Sequence, residues 1–110
     1  MKRGEIYLAD LGAPVGHEQA FVRPVALLSS QPWLESAPPV VFAVPITRTP
    51  RGSPTHVEVE PGSSGLAATS YLKCEDLRTI SVDRLERRFG ALDDVTLVRV
   101  ETIVRRLLAL

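Results

Sequence analysis

Three polar segments of the chain carry residue types that could act on a phosphate group. In the first, His17 and Glu18 precede Arg23, so an imidazole, a carboxylate and a guanidinium fall within seven positions. Thr47 ends a long apolar run, and the polar residues 76–79 separate two further apolar runs. Loops that lead into buried strands are where a rigid scaffold displays its functional groups.

The residue types alone leave two interpretations open at each position. The Arg23 guanidinium could hold a phosphate and stabilise charge that builds on it in a transition state. It could also pair with Glu18 or Glu5 and only fix the loop, which residue type by itself favours. Thr47 could offer its hydroxyl to a phosphoryl oxygen or be a β-branched strand residue. His17 could transfer a proton near neutral pH or be a solvated loop histidine.

Composition excludes several classes of protein. The length of 110 residues suits one domain, and we expect a single domain over 1–110. Thirteen Lys and Arg balance thirteen Asp and Glu, which excludes a globally basic nucleic-acid wrapper but leaves room for a local basic groove. The lone cysteine, Cys74, excludes a disulfide within the chain and a Cys-based zinc site, and favours a small buried residue over a nucleophile.

The sequence lacks other signatures. No cluster of His, Asp and Glu has the spacing of metal ligands, so we expect neither a metal nor another cofactor. No apolar run follows residues 1–5 or reaches the length that a bilayer needs. We therefore expect a cytoplasmic protein without a signal peptide or membrane span.

The elements that must position the polar segments are short strands. Apolar or alternating runs predict strands at 5–10, 24–29, 40–47, 56–60, 67–74, 76–80 and 87–92. Pro24 suits only the first position of its strand. The composition of residues 30–39 predicts an irregular excursion. Its Trp33 could stack on a base, or it could plug the end of a barrel formed by these strands. Residues 48–54 predict a basic loop.

One helix is predicted at the end of the chain. Asp93 and Asp94 offer an N-cap and a favourable charge for the helix start. Apolar residues then recur at helical spacing on one stripe: Leu97, Val100, Ile103, Val104, Leu107 and Leu108. Short strands closed by one helix predict a mainly β fold, a small antiparallel barrel.

Several motifs follow one another in a specific order along almost the whole chain. These are RGEIYLADL at 3–11, GHEQ at 16–19, RPV at 23–25, VPIT at 44–47, PTHVE at 54–58 and LRTI at 77–80. Together they resemble the MazF/PemK toxins of bacterial toxin–antitoxin systems. The resemblance implies an SH3-like barrel, a homodimer, and a metal-independent endoribonuclease that cuts single-stranded RNA at short sequences. It also implies a cognate antitoxin whose C-terminal segment fills the RNA groove.

The resemblance also assigns roles to individual residues. The family's catalytic arginine falls on Arg23, its catalytic threonine on Thr47, and the acidic residue of some members on Glu18. In such a reaction the 2′-hydroxyl attacks the adjacent phosphate and leaves 2′,3′-cyclic phosphate and 5′-hydroxyl ends. Because arginine has a pKa above about 12, Glu18 or His17 is the better general base. We also expect RNA contacts from four further residues: Gln19, Arg48, Arg51 and Arg78.

Two departures from the family pattern affect the first loop. His17 stands where the family usually has serine, and the bulkier residues 20–22 replace a glycine-rich stretch. A stiffer loop or a different choice of cut site would follow. The alternative function is a non-catalytic toxin on the same barrel that poisons DNA gyrase, and the matches at Arg23 and Thr47 argue against it, because a gyrase binder needs neither.

Overall fold

The computed structural model of the chain describes residues 1–12 and 21–110. In these residues the elements are β1 (Glu5–Asp10), β2 (Val22–Leu27), α1 (Gln31–Glu35), β3 (Val40–Thr47), β4 (His56–Val59), β5 (Ser70–Lys73), β6 (Arg78–Ser81), β7 (Leu85–Ala91) and α2 (Asp94–Leu108). Single 3₁₀ turns lie at Cys74–Asp76 and Val82–Arg84. No helix in the described ranges is long and apolar enough to cross a membrane.

The strands form one antiparallel system in the order β4-β5-β3-β2-β1-β7, and β6 pairs with β3. Apolar side chains from the inner strands and from α2 form the core, with Ile6, Val44, Leu72 and Val100 almost completely buried. The mainly β prediction, an SH3-like antiparallel barrel with a C-terminal helix, is confirmed.

A close backbone contact joins β7 to the turn that follows β4. The backbone N–H of Ala91 donates to the carbonyl of Ser63 at 2.9 Å. A Cβ atom at Gly65 would overlap the Phe89 carbonyl, and one at Gly90 would overlap the Ser63 carbonyl. Gly65 also has a φ of +73°, which glycine adopts at little cost. The two glycines therefore bring the segment 65–67 directly against β7.

The start of β2 differs from its prediction. The strand begins at Val22, so Pro24 occupies its third position and lies opposite Leu8 of β1. Pairing of β2 with β3 begins only at Val25. At Pro24 the strand therefore has a neighbour on one side only, and a residue without an N–H is tolerated there.

The predicted irregular excursion at 30–39 contains a short helix, α1. Ser30 precedes it, and its hydroxyl accepts the Trp33 backbone N–H at 3.4 Å, an N-cap contact that the sequence prediction overlooked. The Trp33 ring stacks on Phe42 with ring centroids 6.4 Å apart, and both side chains are exposed. Trp33 therefore does not plug the barrel.

The C-terminal helix begins where the sequence predicts. The Asp93 carboxylate accepts the Thr96 backbone N–H at 2.7 Å, and Val100 and Val104 of the apolar stripe are buried. Leu107 and Leu108, by contrast, are 46% and 54% exposed. The buried part of the stripe stops one turn before the helix ends.

Candidate active site

A pocket of about 500 Å³ lies where the ends of β2 and β3 face β7 and the segment 65–67. No acidic side chain is among its lining residues in the described part of the chain. We call it the basic pocket after its four arginines and two hydroxyl side chains: Arg23, Arg48, Arg87, Arg88, Thr47 and Ser70.

The register of β2 and β3 brings the two predicted catalytic residues together. Val25 pairs with Pro45 in these antiparallel strands. Two residues before Val25 lies Arg23, and two residues after Pro45 lies Thr47, so both reach the same end of the strand pair. Both line the basic pocket.

The hydroxyl of Thr47 is oriented by its own turn. It accepts the Thr49 backbone N–H at 3.2 Å, and Thr47 is only 8% exposed. A hydroxyl carries one donor and two acceptor positions. Since the backbone N–H occupies an acceptor position, the Thr47 proton can be donated to an oxygen that enters the pocket.

The remaining predicted site residues fall into three groups. Arg48 follows Thr47 and lines the basic pocket, whereas Arg51 and Arg78 lie outside it. Arg51 is exposed beyond β3, and Arg78 is half-buried on β6 opposite Ala43. The third group, which lies outside the described residues, comprises His17, Glu18 and Gln19.

The described ends of the loop that carries this third group are held together. The Leu11 backbone N–H donates to the Phe21 carbonyl at 2.8 Å, and the Phe21 N–H donates to the Gly12 carbonyl at 2.6 Å. Phe21 precedes Arg23 by two positions. The described residues on the two sides of the segment 13–20 therefore lie close together, and Phe21 is two positions from a residue of the basic pocket.

Sequence reasoning missed the contribution of β7. Arg87 and Arg88 line the basic pocket together with Phe89, and the Arg87 guanidinium lies 4.5 Å from the centre of the Phe89 ring. The two consecutive arginines are visible in the sequence. Nothing local to them shows that β7 faces β2 and β3, because that arrangement follows from the pairing of β7 with β1.

Arg88 is paired with a buried carboxylate. Glu5, at the start of β1, accepts hydrogen bonds from the Arg88 Nε and from the Lys2 backbone N–H. Burial raises the pKa of Glu5, but these two hydrogen bonds and the positive charges of Arg88 and the N-terminus together outweigh burial, so the pKa lies below its ordinary value. Burial and the nearby Glu5 carboxylate raise the pKa of Tyr7.

Comparison with known proteins places this geometry in a family. Residues 2–108 match the family model of the PemK-like, MazF-like toxins of type II toxin–antitoxin systems. The chain belongs to this family. It is 33% identical over 111 residues to endoribonuclease EndoA of Bacillus subtilis, and this alignment covers 100% of this chain and 96% of the relative.

Solved structures agree. The toxin MazF-mt6 of Mycobacterium tuberculosis superposes with a TM-score of 0.80 at 27% identity over 96% of this chain and 97% of that one. An endoribonuclease from a mycobacterial species, solved in complex with its cognate antitoxin, superposes with a TM-score of 0.79 at 26% identity over 98% of this chain and 94% of that one. The predicted toxin family and its barrel are confirmed. The relatives support the endoribonuclease prediction and do not favour the gyrase-poisoning alternative.

The structure also bears on the lone cysteine and on metal binding. Cys74 is buried, as predicted, and burial raises the pKa of its thiol to about 12, which disfavours the thiolate form that a nucleophile needs. In the described ranges, no three His, Cys, Asp or Glu side chains come close enough to hold a metal ion.

Proposed function

We propose that this toxin is a sequence-specific, metal-independent endoribonuclease that cleaves single-stranded RNA at the basic pocket. The observation that carries the proposal is the meeting of Arg23 and Thr47 at one end of the β2–β3 pair, inside a pocket with four guanidinium groups. Guanidinium groups bind phosphate bidentately, and a polyanionic backbone requires such a lining.

The reaction uses the substrate's own hydroxyl as nucleophile. The 2′-oxygen attacks the adjacent phosphorus, the bond from phosphorus to the 5′-oxygen breaks, and the products carry a 2′,3′-cyclic phosphate and a 5′-hydroxyl. Arg23 stabilises the negative charge of the phosphorane, and Thr47 donates a hydrogen bond from its hydroxyl to a non-bridging oxygen. DNA lacks the attacking oxygen and is not cleaved.

The two proton transfers need a base and an acid. Glu18 or His17 takes the proton from the 2′-hydroxyl, and Arg23 gives a proton to the leaving 5′-oxygen and regains one from solvent. Alignment of the attacking oxygen with the phosphorus supplies the rest of the acceleration.

A cognate antitoxin is the second proposed partner. A mycobacterial relative forms such a complex. The basic pocket suits an acidic C-terminal segment as well as it suits RNA, because both present carboxylate or phosphate oxygens to the same arginines. Such a segment would inhibit the toxin by occupying the RNA site.

We also propose a homodimer in the bacterial cytoplasm, where cellular RNA is available. Trp33 and Phe42 form an exposed aromatic pair beside the strand start at Val40. Exposed aromatic pairs of this kind are typical of protein interfaces. Light scattering after size-exclusion chromatography tests the dimer, and a monomer at all concentrations would contradict it.

A cleavage assay in excess chelator tests the activity. We expect site-selective cuts with 5′-hydroxyl ends, and a loss of about 10²- to 10³-fold in rate for Arg23→Ala. Arg105→Ala, on the exposed face of α2, removes the same charge away from the pocket and serves as the matched control. Cleavage that survives in Arg23→Ala would contradict the assignment, and growth arrest with DNA damage would favour gyrase poisoning.

A further inference from the structure

We propose that Arg88 binds a backbone phosphate of the RNA beside the cleavage site, and that the buried Glu5 is the positioning residue that holds Arg88 for this task. The proposal rests on the RNA-cleaving function above and adds a subsite on β7.

The first argument is the geometry of the pair. The Glu5 side chain is 11% exposed, whereas the Arg88 side chain is 52% exposed and lines the basic pocket. The Glu5 contact engages the Nε of Arg88. Each of the two terminal nitrogens carries two further N–H donors, and this edge of the guanidinium matches two oxygens of one phosphate.

The second argument is the rigidity of the anchor. Glu5 is fixed by the Lys2 backbone N–H and lies at the start of β1, whose pairing with β7 sets Tyr7 opposite Arg88. A long arginine side chain loses conformational entropy when it binds. Because the carboxylate already holds the guanidinium, part of that loss is incurred on folding and not on binding.

The neighbouring arginine of the pocket, Arg87, is positioned differently. Arg87 lines the same pocket, but its guanidinium lies over the Phe89 ring and not on a carboxylate. A second Arg–Glu pair, between Arg3 and Glu101 at 2.6 Å, lies outside the pocket. Glu101 therefore provides a matched control for Glu5.

The test separates positioning from simple electrostatics. Removing a negative charge near a phosphate site should strengthen RNA binding if Glu5 contributes only its charge. If Glu5 positions Arg88, Glu5→Gln should weaken binding about 5-fold. We expect Arg88→Gln to weaken binding by about 5- to 10-fold and to lower the salt slope by about 0.7, the value for one phosphate contact on a single strand.

Binding is measured with a 2′-O-methyl oligoribonucleotide, which cannot be cleaved, and cleavage is measured separately on the matching RNA. We expect both variants to raise KM more than they lower kcat, and the Glu5→Gln, Arg88→Gln double variant to be no weaker than Arg88→Gln alone. Glu101→Gln should leave the dissociation constant and kcat unchanged.

The outcomes distinguish the two proposals. Tighter or unchanged binding by Glu5→Gln, or additive effects in the double variant, would overturn the positioning role. An unchanged salt slope in Arg88→Gln would overturn the phosphate contact even if Glu5→Gln folds poorly. A wild type that binds the oligonucleotide as described but cleaves no RNA would refute the endoribonuclease and leave the subsite standing.

Discussion

The basic pocket and the surface where β4 meets α2 carry charges of opposite sign. Four arginines and no acidic side chain line the basic pocket in the described chain. The second surface has a cavity of about 240 Å³ that contains Glu58, Glu60 and Asp93 beside a single arginine, Arg99. We call this second cavity the acidic groove.

The difference shows how a chain with no net charge can bind a polyanion. The formal charge of zero is a sum over all charged residues of the chain, whereas the local potential at each surface decides what binds there. The acidic groove repels a phosphate backbone, so it favours approach of RNA to the basic pocket. Net charge alone predicts neither effect.

After the loss expected for Arg23→Ala, the largest effect is expected at the hydroxyl of Thr47. Thr47→Val keeps the side-chain shape but removes the proton donor, and we expect kcat to fall about 10²-fold with RNA binding nearly unchanged. Thr47→Ser should restore much of the activity. Single-turnover cleavage measures both. A Thr47→Val enzyme with full activity would show that the Thr47 hydroxyl takes no part in the reaction.

The next effect concerns Arg48, which lines the basic pocket, and Arg51, which does not. Arg48→Gln should weaken RNA binding several-fold and lower the salt slope by about 0.7. Arg51→Gln, which removes the same charge, should change the slope less. Titration of an oligonucleotide at three salt concentrations measures the slopes. Equal slopes in the two variants would extend the RNA site beyond the pocket.

A smaller effect is the pH dependence of stability, which should differ between two carboxylates, Glu5 and Glu58. Glu5 has a lowered pKa, so its stabilisation is present above its unfolded pKa and is lost as pH falls through the folded value. Glu5→Gln should therefore lower the free energy of unfolding by about 2 kcal/mol at neutral pH, and less near pH 3. Urea denaturation at both pH values measures this difference.

Glu58 in the acidic groove should behave in the opposite way. Its hydrogen bond and repulsion with Glu60 raise its pKa, so its ionised form destabilises the fold above that pKa. Glu58→Gln should stabilise the protein at neutral pH, and the gain should vanish in acid, where the carboxyl is protonated. A gain of the same size at both pH values would show that the Glu58 charge is not the cause.

The smallest effect is expected at the ion pair of Arg3 and Glu101, whose side chains are 29% and 37% exposed. Glu101→Gln should lower the free energy of unfolding by about 0.5 kcal/mol or less. Cleavage should be unchanged, since neither residue lines the basic pocket. Reduced cleavage would link the N-terminal segment to the active site.

Local signals in the sequence predicted most of the fold. The strand at 40–47 and the helix start at Asp93 follow from apolar runs and from a capping residue, which depend on near neighbours in the chain. The helix that Ser30 caps was not predicted, because the prolines of that segment indicated irregular structure. The position of Pro24 within its strand was predicted wrongly, because whether a proline is tolerated there depends on which strands flank it.

The candidate site was predictable only in part, for the same reason. Arg23 and Thr47 were found through motifs that lie at the ends of adjacent strands. Arg87 and Arg88 were missed because their place depends on contacts between β7 and β1, which are far apart in the chain. A buried carboxylate such as Glu5 gives no sign in the sequence of which arginine it holds.

The contact between Gly65 and Gly90 has a genetic consequence. Any side chain at either position would overlap backbone that joins β7 to the wall of the basic pocket. When the gene is expressed without its antitoxin, mutations that let cells survive should accumulate at these two codons as well as at Arg23. Escape mutations at Gly65 or Gly90 would inactivate the toxin by displacing β7, although they replace none of the arginines of the basic pocket.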